Sequence, residues 1–474
     1  MTVRLYDSKA QALRDFVPLV EGHVGMYVCG PTVQSSPHIG HLRSALVYDL
    51  MRRWLSARGY RVTFVRNVTD IDDKILNAAA EEGIGEQWWS LAYRVELEFT
   101  AAYNALGILA PTYEPRATAS VQQMQQLIER LIELGHAYPA TDGSGDVYFD
   151  TGSWPSYGEL TRQARENMEA AADSDPRGKR DPRDFALWKG RKATEPTSAG
   201  WDSPWGAGRP GWHIECSAMA ARYLGTEFDL HGGGLDLRFP HHENELAQST
   251  AAGQAFARYW VHNGLVNVGG QKMSKSLGNS VYASELTDLA SPLAVRYLLG
   301  KAHYRSTLDY SPDSLAEAEA AVDRIRTFVT RVDRRLAGTR YASAGADGTW
   351  PEPFAEAMDD DLGVPQALAV LHEAVGAGNQ ALDGEDLGAA AELRGQVLAM
   401  ARVLGIDPTD PHWVADAGPA ASALDALVAR LVADRRDARD AKDWASADRI
   451  RAELADAGIT IEDSQTGTHW SLTS

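Results

Sequence analysis

Apolar positions change their spacing along the chain in a regular order. From Val24 to Val28 they run together as a short strand, and then Leu42, Leu46, Leu50 and Trp54 recur every four residues, the stripe of an amphipathic helix. Gly59 ends that helix, and Arg61 to Val68, rich in β-branched and aromatic residues, reads as the next strand. Strand, helix and strand joined by short connections make a βαβ unit and predict a parallel sheet. The segment Asn67-Val68-Thr69-Asp70-Ile71-Asp72-Asp73-Lys74 closes the unit at the carboxyl end of a strand, where open α/β sheets bind ligands.

The pattern changes from about Thr112 to Arg209. A helical stretch from Ser120 to Gly135 gives way to Gly/Ser/Pro-rich turns and a run of basic residues, which reads as an insertion splitting the α/β domain. The sheet pattern resumes near Trp212 and continues through Phe228-Asp229-Leu230-His231 and Tyr259-Trp260-Val261-His262; beyond Ser291 the chain is mainly helical. Ala337 to Trp350, rich in Gly, Ala and Ser, reads as a linker, and Ile406 to Ala420 is a second break. Helical patterns from Leu424 to Arg439 and Trp444 to Ala457 lead to a β-prone tail at Gly458 to Asp463. The expected parts are two halves of one α/β domain (1–111 and 210–290), an insertion (112–209), a helical junction (291–336), a helical domain (351–405) and a small mixed domain (421–474).

At 474 residues the chain is too long for one core, which agrees with this division. No apolar run approaches the roughly 20 residues that a membrane helix needs. The start, Met1-Thr2-Val3-Arg4-Leu5-Tyr6-Asp7, lacks the apolar core of a secretory signal, so a cytoplasmic protein with no membrane contact is expected. A net charge of −19 argues weakly against nucleic-acid binding, because phosphate contacts depend on local patches. Two such patches stand out, one from Arg177 to Lys192 and one at Arg324, Arg331 and Arg335, spaced to share a helix face; a solvated surface is the plainer reading of each. Two cysteines, Cys29 and Cys216, are too few for a disulfide framework.

Three clusters carry candidate chemistry. Pro37-His38-Ile39-Gly40-His41 sets two imidazoles a helical turn apart at a strand-to-helix junction, where backbone N–H groups and the helix dipole attract phosphate. Lys272-Met273-Ser274-Lys275-Ser276, with Gly269, Gly270 and Gly278 nearby, suggests a mobile loop that closes on a polyanion. Phe239-Pro240-His241-His242-Glu243-Asn244-Glu245 opens a helix, with Pro240 near its first position and His241 and Glu245 on one face. With Cys29 and Cys216 these two offer a plausible zinc set, although a helix-capping role for the run is equally open from spacing alone.

The first two clusters, in this order, resemble the HIGH and KMSKS signatures of class I aminoacyl-tRNA synthetases. A more specific resemblance, to cysteinyl-tRNA synthetases, runs from the N-terminus to about Tyr310. It is carried by Tyr27-Val28-Cys29-Gly30-Pro31-Thr32, Thr69-Asp70-Ile71-Asp72-Asp73-Lys74, Asp181-Pro182-Arg183-Asp184-Phe185-Ala186-Leu187-Trp188-Lys189 and Gly211-Trp212-His213-Ile214-Glu215-Cys216. His231-Gly232-Gly233-Gly234-Leu235-Asp236, continuing into His241-His242-Glu243-Asn244-Glu245, belongs to the same pattern, which returns at Lys442-Asp443-Trp444 and Gly467-Thr468-His469-Trp470.

The resemblance implies a Rossmann-like parallel-sheet catalytic domain split by an insertion, then a helical anticodon-binding domain and a small C-terminal mixed domain. It implies one zinc held by Cys29, Cys216, His241 and Glu245, with His242 a neighbour. Gly30, Thr69, Trp212 and Asp236 would line the cysteine pocket, Asp236 facing the substrate ammonium. His38, Gly40, His41, Gly232, Gly233, Gly234, Lys272 and Lys275 would meet ATP, the two histidines and two lysines at its phosphates with Mg²⁺. The implied reaction joins L-cysteine to ATP as an adenylate and passes it to the terminal ribose of tRNA(Cys), first to the 2′-hydroxyl, in a monomeric enzyme. Zinc would separate cysteine from serine through thiolate bonding, where pocket size alone discriminates poorly. Two other readings share these motifs: a ligase that delivers the adenylate to an amino-sugar in actinobacterial thiol synthesis, and a synthetase-like protein that binds tRNA without catalysis.

Overall fold

The predicted βαβ unit is present at the heart of a parallel sheet. The computed structural model describes residues 2–168, 177–273, 278–342, 348–415, 418–464 and 467–472. Strand His23–Val28 leads into helix Ile39–Ala57 and on to strand Arg61–Arg66, and the two strands pair in parallel from His23 opposite Arg61 to Val28 opposite Arg66. Gly59 turns the chain at φ +92°, a conformation that side-chain-bearing residues avoid.

Two strands from beyond the insertion complete the sheet. Its order is Phe256–Asn263, Glu227–Gly234, His23–Val28, Arg61–Arg66, all parallel. Val24, Met26, Tyr27, Val28, Phe228, Leu230, Tyr259 and Trp260 are all buried. Burial of this kind explains why these strands read as apolar runs rather than alternating ones. Helix Trp212–Leu224 precedes the strand Glu227–Gly234, and helix Glu243–Ala251 connects it to Phe256–Asn263.

The insertion holds a sheet that periodicity does not foretell. Helix Val121–Glu133 is followed by an antiparallel sheet in the order Ala137–Pro139, Val147–Phe149, Phe185–Gly190, Gly208–Pro210. Three of these strands have only three residues, too few for an alternating signal. The basic run is largely engaged internally: Arg177 pairs with Asp146 at 2.8 Å, Arg183 with Asp181 at 2.8 Å and Lys189 with Asp73 at 2.6 Å. Arg180 lies over the Tyr138 ring, 3.9 Å from its centroid.

The chain forms two compact units, Met1–Asp407 and Pro408–Ser474. The expected linker at Ala337 to Trp350, of which 343–347 lie outside the described residues, is interior to the first unit. Trp350 and Phe354 pack against Trp54 of the helix Ile39–Ala57, with ring centroids 5.7 and 6.0 Å away. Arg331 of the expected basic face reaches Asn379 at 2.6 Å and Asp383 at 3.2 Å on a neighbouring helix. The second unit contains helices Gly418–Asp440 and Trp444–Asp456 and an antiparallel hairpin of Ile459–Ser464 with Gly467–Leu472. Val428, Ile450, Leu454, Ile459 and Ile461 form its core. Among the described residues, no helix is long and apolar enough to cross a membrane.

One buried ion pair, with Arg296 on helix Pro292–Lys301, joins four helices of the first unit. Asp49, on Ile39–Ala57, accepts from Arg296 Nη2 at 2.5 Å, Arg53 Nε at 2.8 Å and Leu109 N at 2.9 Å. The Arg296 guanidinium also donates to the carbonyls of Leu404, at 3.1 Å, and Leu106, at 2.9 Å, at the ends of helices Leu387–Leu404 and Trp88–Ala105. Removing one partner leaves the other charge buried and unpaired, at a cost of about 3–5 kcal/mol. Asp49→Ala is therefore expected to lose about that much stability in urea unfolding; a loss under about 1 kcal/mol would exclude the ion pair as the joint.

Candidate active site and metal centre

The carboxyl ends of the parallel strands open onto a cleft of about 390 Å³. It is lined by Cys29, Gly30, His38, Gly40, His41, Trp212, Gly234, Asp236 and Lys272 among the expected residues. Lys74, at the end of the segment Asn67–Lys74, lines it too, as do Gln34, Ser44 and Asn263, which were not singled out by pattern. A larger cleft of about 680 Å³ lies between 83–87 and 192–196 and contains none of the expected residues.

The two imidazoles of the first motif stand at the amino end of helix Ile39–Ala57. Their rings stack 3.7 Å apart at 21°, and His41 Nδ1 accepts from His38 N at 3.2 Å. That bond fixes the His41 tautomer, with the proton on Nε2 when the ring is neutral. A Cβ on Gly40 would stand 3.1 Å from the His38 ring and 3.3 Å from the Met273 methyl, so the Met273 side chain rests against this turn. Lys272 lies on the short strand Gln271–Lys272, which pairs with Val266–Val268, itself parallel to Leu308–Tyr310. Lys275 lies outside the described residues.

Behind the cleft is a buried cluster of metal-ligating side chains. Cys29 continues from strand His23–Val28, Cys216 comes from helix Trp212–Leu224, and their sulfurs are 3.6 Å apart. Glu245 Oε1 is 3.2 Å from Cys29 Sγ and 3.0 Å from His241 Nε2. These four offer ligand atoms within 4.8 Å of one another, as do Cys29, His231, His242 and Glu245. The helix begins at Glu243 rather than at Pro240, because a turn of π geometry spans Arg238–His242 with non-helical φ/ψ at Phe239.

Donor chemistry favours the first set. It has two thiolates, one imidazole and one carboxylate, and His241 Nδ1 lies 2.9 Å from His213 Nδ1, leaving Nε2 toward the cluster. A second imidazole nitrogen held in this way is usual for a metal ligand. His242 of the other set is held in the same way, its Nδ1 2.8 Å from His262 Nε2 and His262 Nδ1 2.8 Å from Ser8 Oγ. What separates the two sets is therefore the second thiol, Cys216, in the first and His231 in the other. His231 Nε2 holds the outer carboxylate oxygen of Glu245 at 2.8 Å. His231, His242 and His262 thus back the cluster; the alternation of His231 and Gly233 along a strand was the available signal for the first of them.

Protons are divided unevenly over the four side chains. Burial, and then Cys216 and Glu245, push the Cys29 thiol well up. Burial also opposes ionisation of Cys216, but the Cys29 hydrogen bond and His241 outweigh it and bring that thiol down to about 6. Burial likewise opposes ionisation of Glu245, but His231 and His241 hold its carboxyl well below the usual range. A thiolate on Cys216 and a carboxylate on Glu245 are therefore favoured at neutral pH. Burial opposes a charge on His241, but Glu245 and Cys216 outweigh it and raise that imidazole to about 10. Cys29 and His241 thus each hold a proton that a bound zinc would displace.

Several glycines are explained by packing rather than by ligand approach. A Cβ on Gly232 would stand 2.3 Å from the Tyr48 ring, and one on Gly233 would be 2.7 Å from the His242 ring. Only Gly234 of the triplet lines the cleft. Tyr48 Oη accepts from Gly233 N at 2.6 Å and faces the Gly233 carbonyl at 2.8 Å. Thr69 is buried and donates to Glu215 at 2.6 Å, beneath the cleft rather than in its lining. Trp212 packs 4.1 Å from the His241 ring, with Lys74 Nζ 5.8 Å from the Trp212 centroid.

The chain matches a family model described as "tRNA synthetases class I (C) catalytic domain" over residues 15–320. It also matches "DALR domain" over 353–406 and "Cysteinyl-tRNA ligase anticodon binding domain" over 421–470. It is 71% identical to the cysteine–tRNA ligase of Leifsonia xyli subsp. xyli, covering 100% of both chains. It is 59% identical to that of Micrococcus luteus, again covering 100% of both. Among solved structures, Mycobacterium tuberculosis methionyl-tRNA synthetase in complex with methionyl-adenylate aligns with a TM-score of 0.59 at 17% identity. That alignment covers 84% of this chain and 92% of the other, a likeness of fold.

Gly30 is the tightest point of the site. A Cβ there would lie 1.6 Å from the carbonyl oxygen of Asn67, whose side chain also accepts from Gly30 N at 2.8 Å. Gly30→Ala must displace backbone beside Cys29. It is expected to lose about 1–3 kcal/mol of stability in denaturant unfolding and to retain bound zinc poorly on dialysis. Full retention with unchanged stability would mean that the contact yields easily.

Proposed function

The chain belongs to the cysteine–tRNA ligase family and is an ATP-dependent aminoacyl-tRNA ligase; from that premise we propose which of its residues perform the reaction. L-Cysteine, ATP and tRNA(Cys) are its substrates. The cysteine side chain enters past Gly30 and Trp212 toward Cys29, Cys216, His241 and Glu245, with Thr69 supporting the pocket floor through Glu215. Asp236, exposed at the cleft, meets the substrate ammonium. Zinc bound there supplies a thiolate-selective bond that a serine alcohol cannot match. The observation that carries this reading is the convergence of two sulfurs, an imidazole and a carboxylate within 4.8 Å, directly behind the cleft.

The substrate carboxylate attacks the α-phosphorus of ATP, a phosphorus–oxygen bond breaks, and pyrophosphate leaves. His38, His41, Lys272 and Lys275 counter the charge that develops on the phosphates, for which Mg²⁺ is the expected partner cation. Gly40 allows the turn of His38 and His41 to meet the lysine loop, and Gly234 leaves room for the nucleoside, with Gly232 and Gly233 fixing the strand end below it. Catalysis is then mainly positioning and charge stabilisation. The acyl group passes afterwards to the terminal ribose of tRNA. We place the reaction in the cytoplasm, carried out by a monomer.

The C-terminal half is assigned to tRNA: the helices within 351–405 to the body of the anticodon arm, and the second unit to the anticodon itself. The match at 421–470 supports this assignment and disfavours the amino-sugar ligase reading. Cysteine-dependent exchange of pyrophosphate into ATP, followed by charging of tRNA(Cys), tests the whole scheme. Exchange without charging would favour the amino-sugar ligase, and charging of neither kind would leave a tRNA-binding protein.

Lys275→Ala is expected to slow adenylate formation by about 10²–10³-fold, the size expected for one lost donor to developing charge. The KM for ATP should change far less. An equal loss in both would mean that the lysine binds ground state and transition state alike.

A chain ending at Asp407 keeps the first unit whole. It is expected to retain pyrophosphate exchange and to charge tRNA poorly, with a flatter dependence of tRNA binding on salt. Charging equal to that of the full chain would remove the second unit from tRNA recognition.

A further inference from the structure

Glu243 is fully buried, two positions from Glu245, yet it takes no part in the metal cluster or the cleft. Its carboxylate is turned to a loop of the insertion. Gly158 N and Thr161 N each donate to it at 2.9 Å, and Thr161 Oγ1 donates at 2.9 Å. Two further bonds join the same loop to the same turn of chain. Tyr157 Oη donates to Asn244 Oδ1 at 2.6 Å, and Arg238 Nη2 donates to the Leu160 carbonyl at 3.0 Å.

The loop is itself stiff. Gly158 lies at φ +100°, where a Cβ would stand 2.1 Å from the Gln163 carbonyl oxygen, and Gln163 N closes the turn on the Gly158 carbonyl at 3.1 Å. Arg162, at φ +56°, donates to the Ala10 carbonyl at 2.8 Å. A concave run of backbone N–H groups around a buried anion is a favourable pairing. Losing it would leave a carboxylate without partners in a dry interior.

The opposite end of this contact is the metal centre. Helix Glu243–Ala251 carries Glu245 in its first turn, and its N-cap residue His242 makes no side-chain capping bond. The helix continues from the π turn Arg238–His242, with Glu243 N donating to the Pro240 carbonyl, and the Glu243 carboxylate adds the tie from this junction to the insertion. Glu245 Oε1 stands 3.2 Å from Cys29 Sγ, so a slip of about 1 Å along the helix axis would take it out of ligand reach.

We propose that loop 157–161 of the insertion locks the metal-bearing helix in place, with Glu243 as the positioning residue that sets Glu245 at the zinc site. The inference rests on the zinc reading above and adds to it a structural duty for the insertion. In chemical terms, a buried carboxylate clasped by backbone amides converts the rigidity of the insertion into the geometry of a metal ligand on another segment.

The test uses the full-length chain, with zinc release to a chromophoric chelator as the readout. Glu243→Gln keeps the size of the side chain but sets an amide against three N–H and O–H donors. Gly158→Ala deforms the loop at a distance from every candidate ligand, and Thr161→Val removes one hydroxyl at constant volume. Glu243→Gln is expected to weaken zinc retention about 10–100-fold, the usual range for a group that orients a metal ligand. Both loop variants should shift in the same direction. The double variant Glu243→Gln/Gly158→Ala should be no worse than the weaker of its parents, because both break one contact.

Hydrogen exchange gives a second readout, independent of metal. Amides of helix Glu243–Ala251 should exchange faster in each variant, with the rest of the sheet unchanged. Unchanged retention and exchange in folded Glu243→Gln and Thr161→Val would overturn the lock. Additive losses in the double variant would overturn it as well, since they indicate separate damage. A parent chain that binds no zinc would overturn the metal reading instead, while the exchange rates would still decide whether the loop holds the helix.

Discussion

Three residue pairs, Met26 with Leu230, Tyr27 with His231 and Val28 with Gly232, join strands that lie more than 200 positions apart in the chain. This parallel ladder brings the end of the first βαβ unit beside the end of the second half of the sheet. Its register sets Cys29, which donates its backbone N–H to Gly232 at 3.2 Å, next to the glycine-rich strand end. A slip by one residue would turn each side chain to the opposite face and separate the two sulfurs. The cleft, the metal cluster and the placement of the helix Ile39–Ala57 over Gly232 and Gly233 all depend on this pairing.

The site beneath the ladder is built from groups that are costly to bury. His213, His231, His241, His242, His262, Glu215, Glu243 and Glu245 are gathered in one interior, and each finds a polar partner or a proposed ligand. Buried polar groups are tolerated only when satisfied in this way. The arrangement explains why burial shifts protons in opposite directions on neighbouring groups. His242 and His262 stay neutral because burial and adjacent imidazoles disfavour a charge, whereas Glu245 stays ionised because imidazoles surround it.

The surroundings of the sheet are fastened by the same logic. Arg209 is buried and pairs with Asp73 and, at 2.8 Å, with Glu195, so that the insertion is tied to the helix Asp73–Glu81 beside the cleft. Asp49 and Arg296 do the equivalent for the helices that follow. The insertion and the helical segment are thus parts of the frame around the cleft, which agrees with a first compact unit extending to Asp407.

The sequence by itself determined the βαβ unit, the four parallel strands, the split by an insertion and the family, because these depend on local spacing and short motifs. His38, Gly40, His41 and Lys272 were legible for the same reason, and so were both cysteines. What escaped it were contacts between distant segments. The short antiparallel strands of the insertion, the second strand of the C-terminal hairpin and the extension of the first unit past Trp350 leave little local pattern. Spacing could not choose among Cys29, Cys216, His231, His241, His242 and Glu245 as ligands, since all are within reach of a cation only once the ladder has formed. Nor could it reveal that Gly232 and Gly233 answer to Tyr48 and His242, or that Glu243 answers to Gly158 and Thr161. Tertiary structure alone decided those points, because each depends on which side chain the fold delivers to within a few ångströms of another.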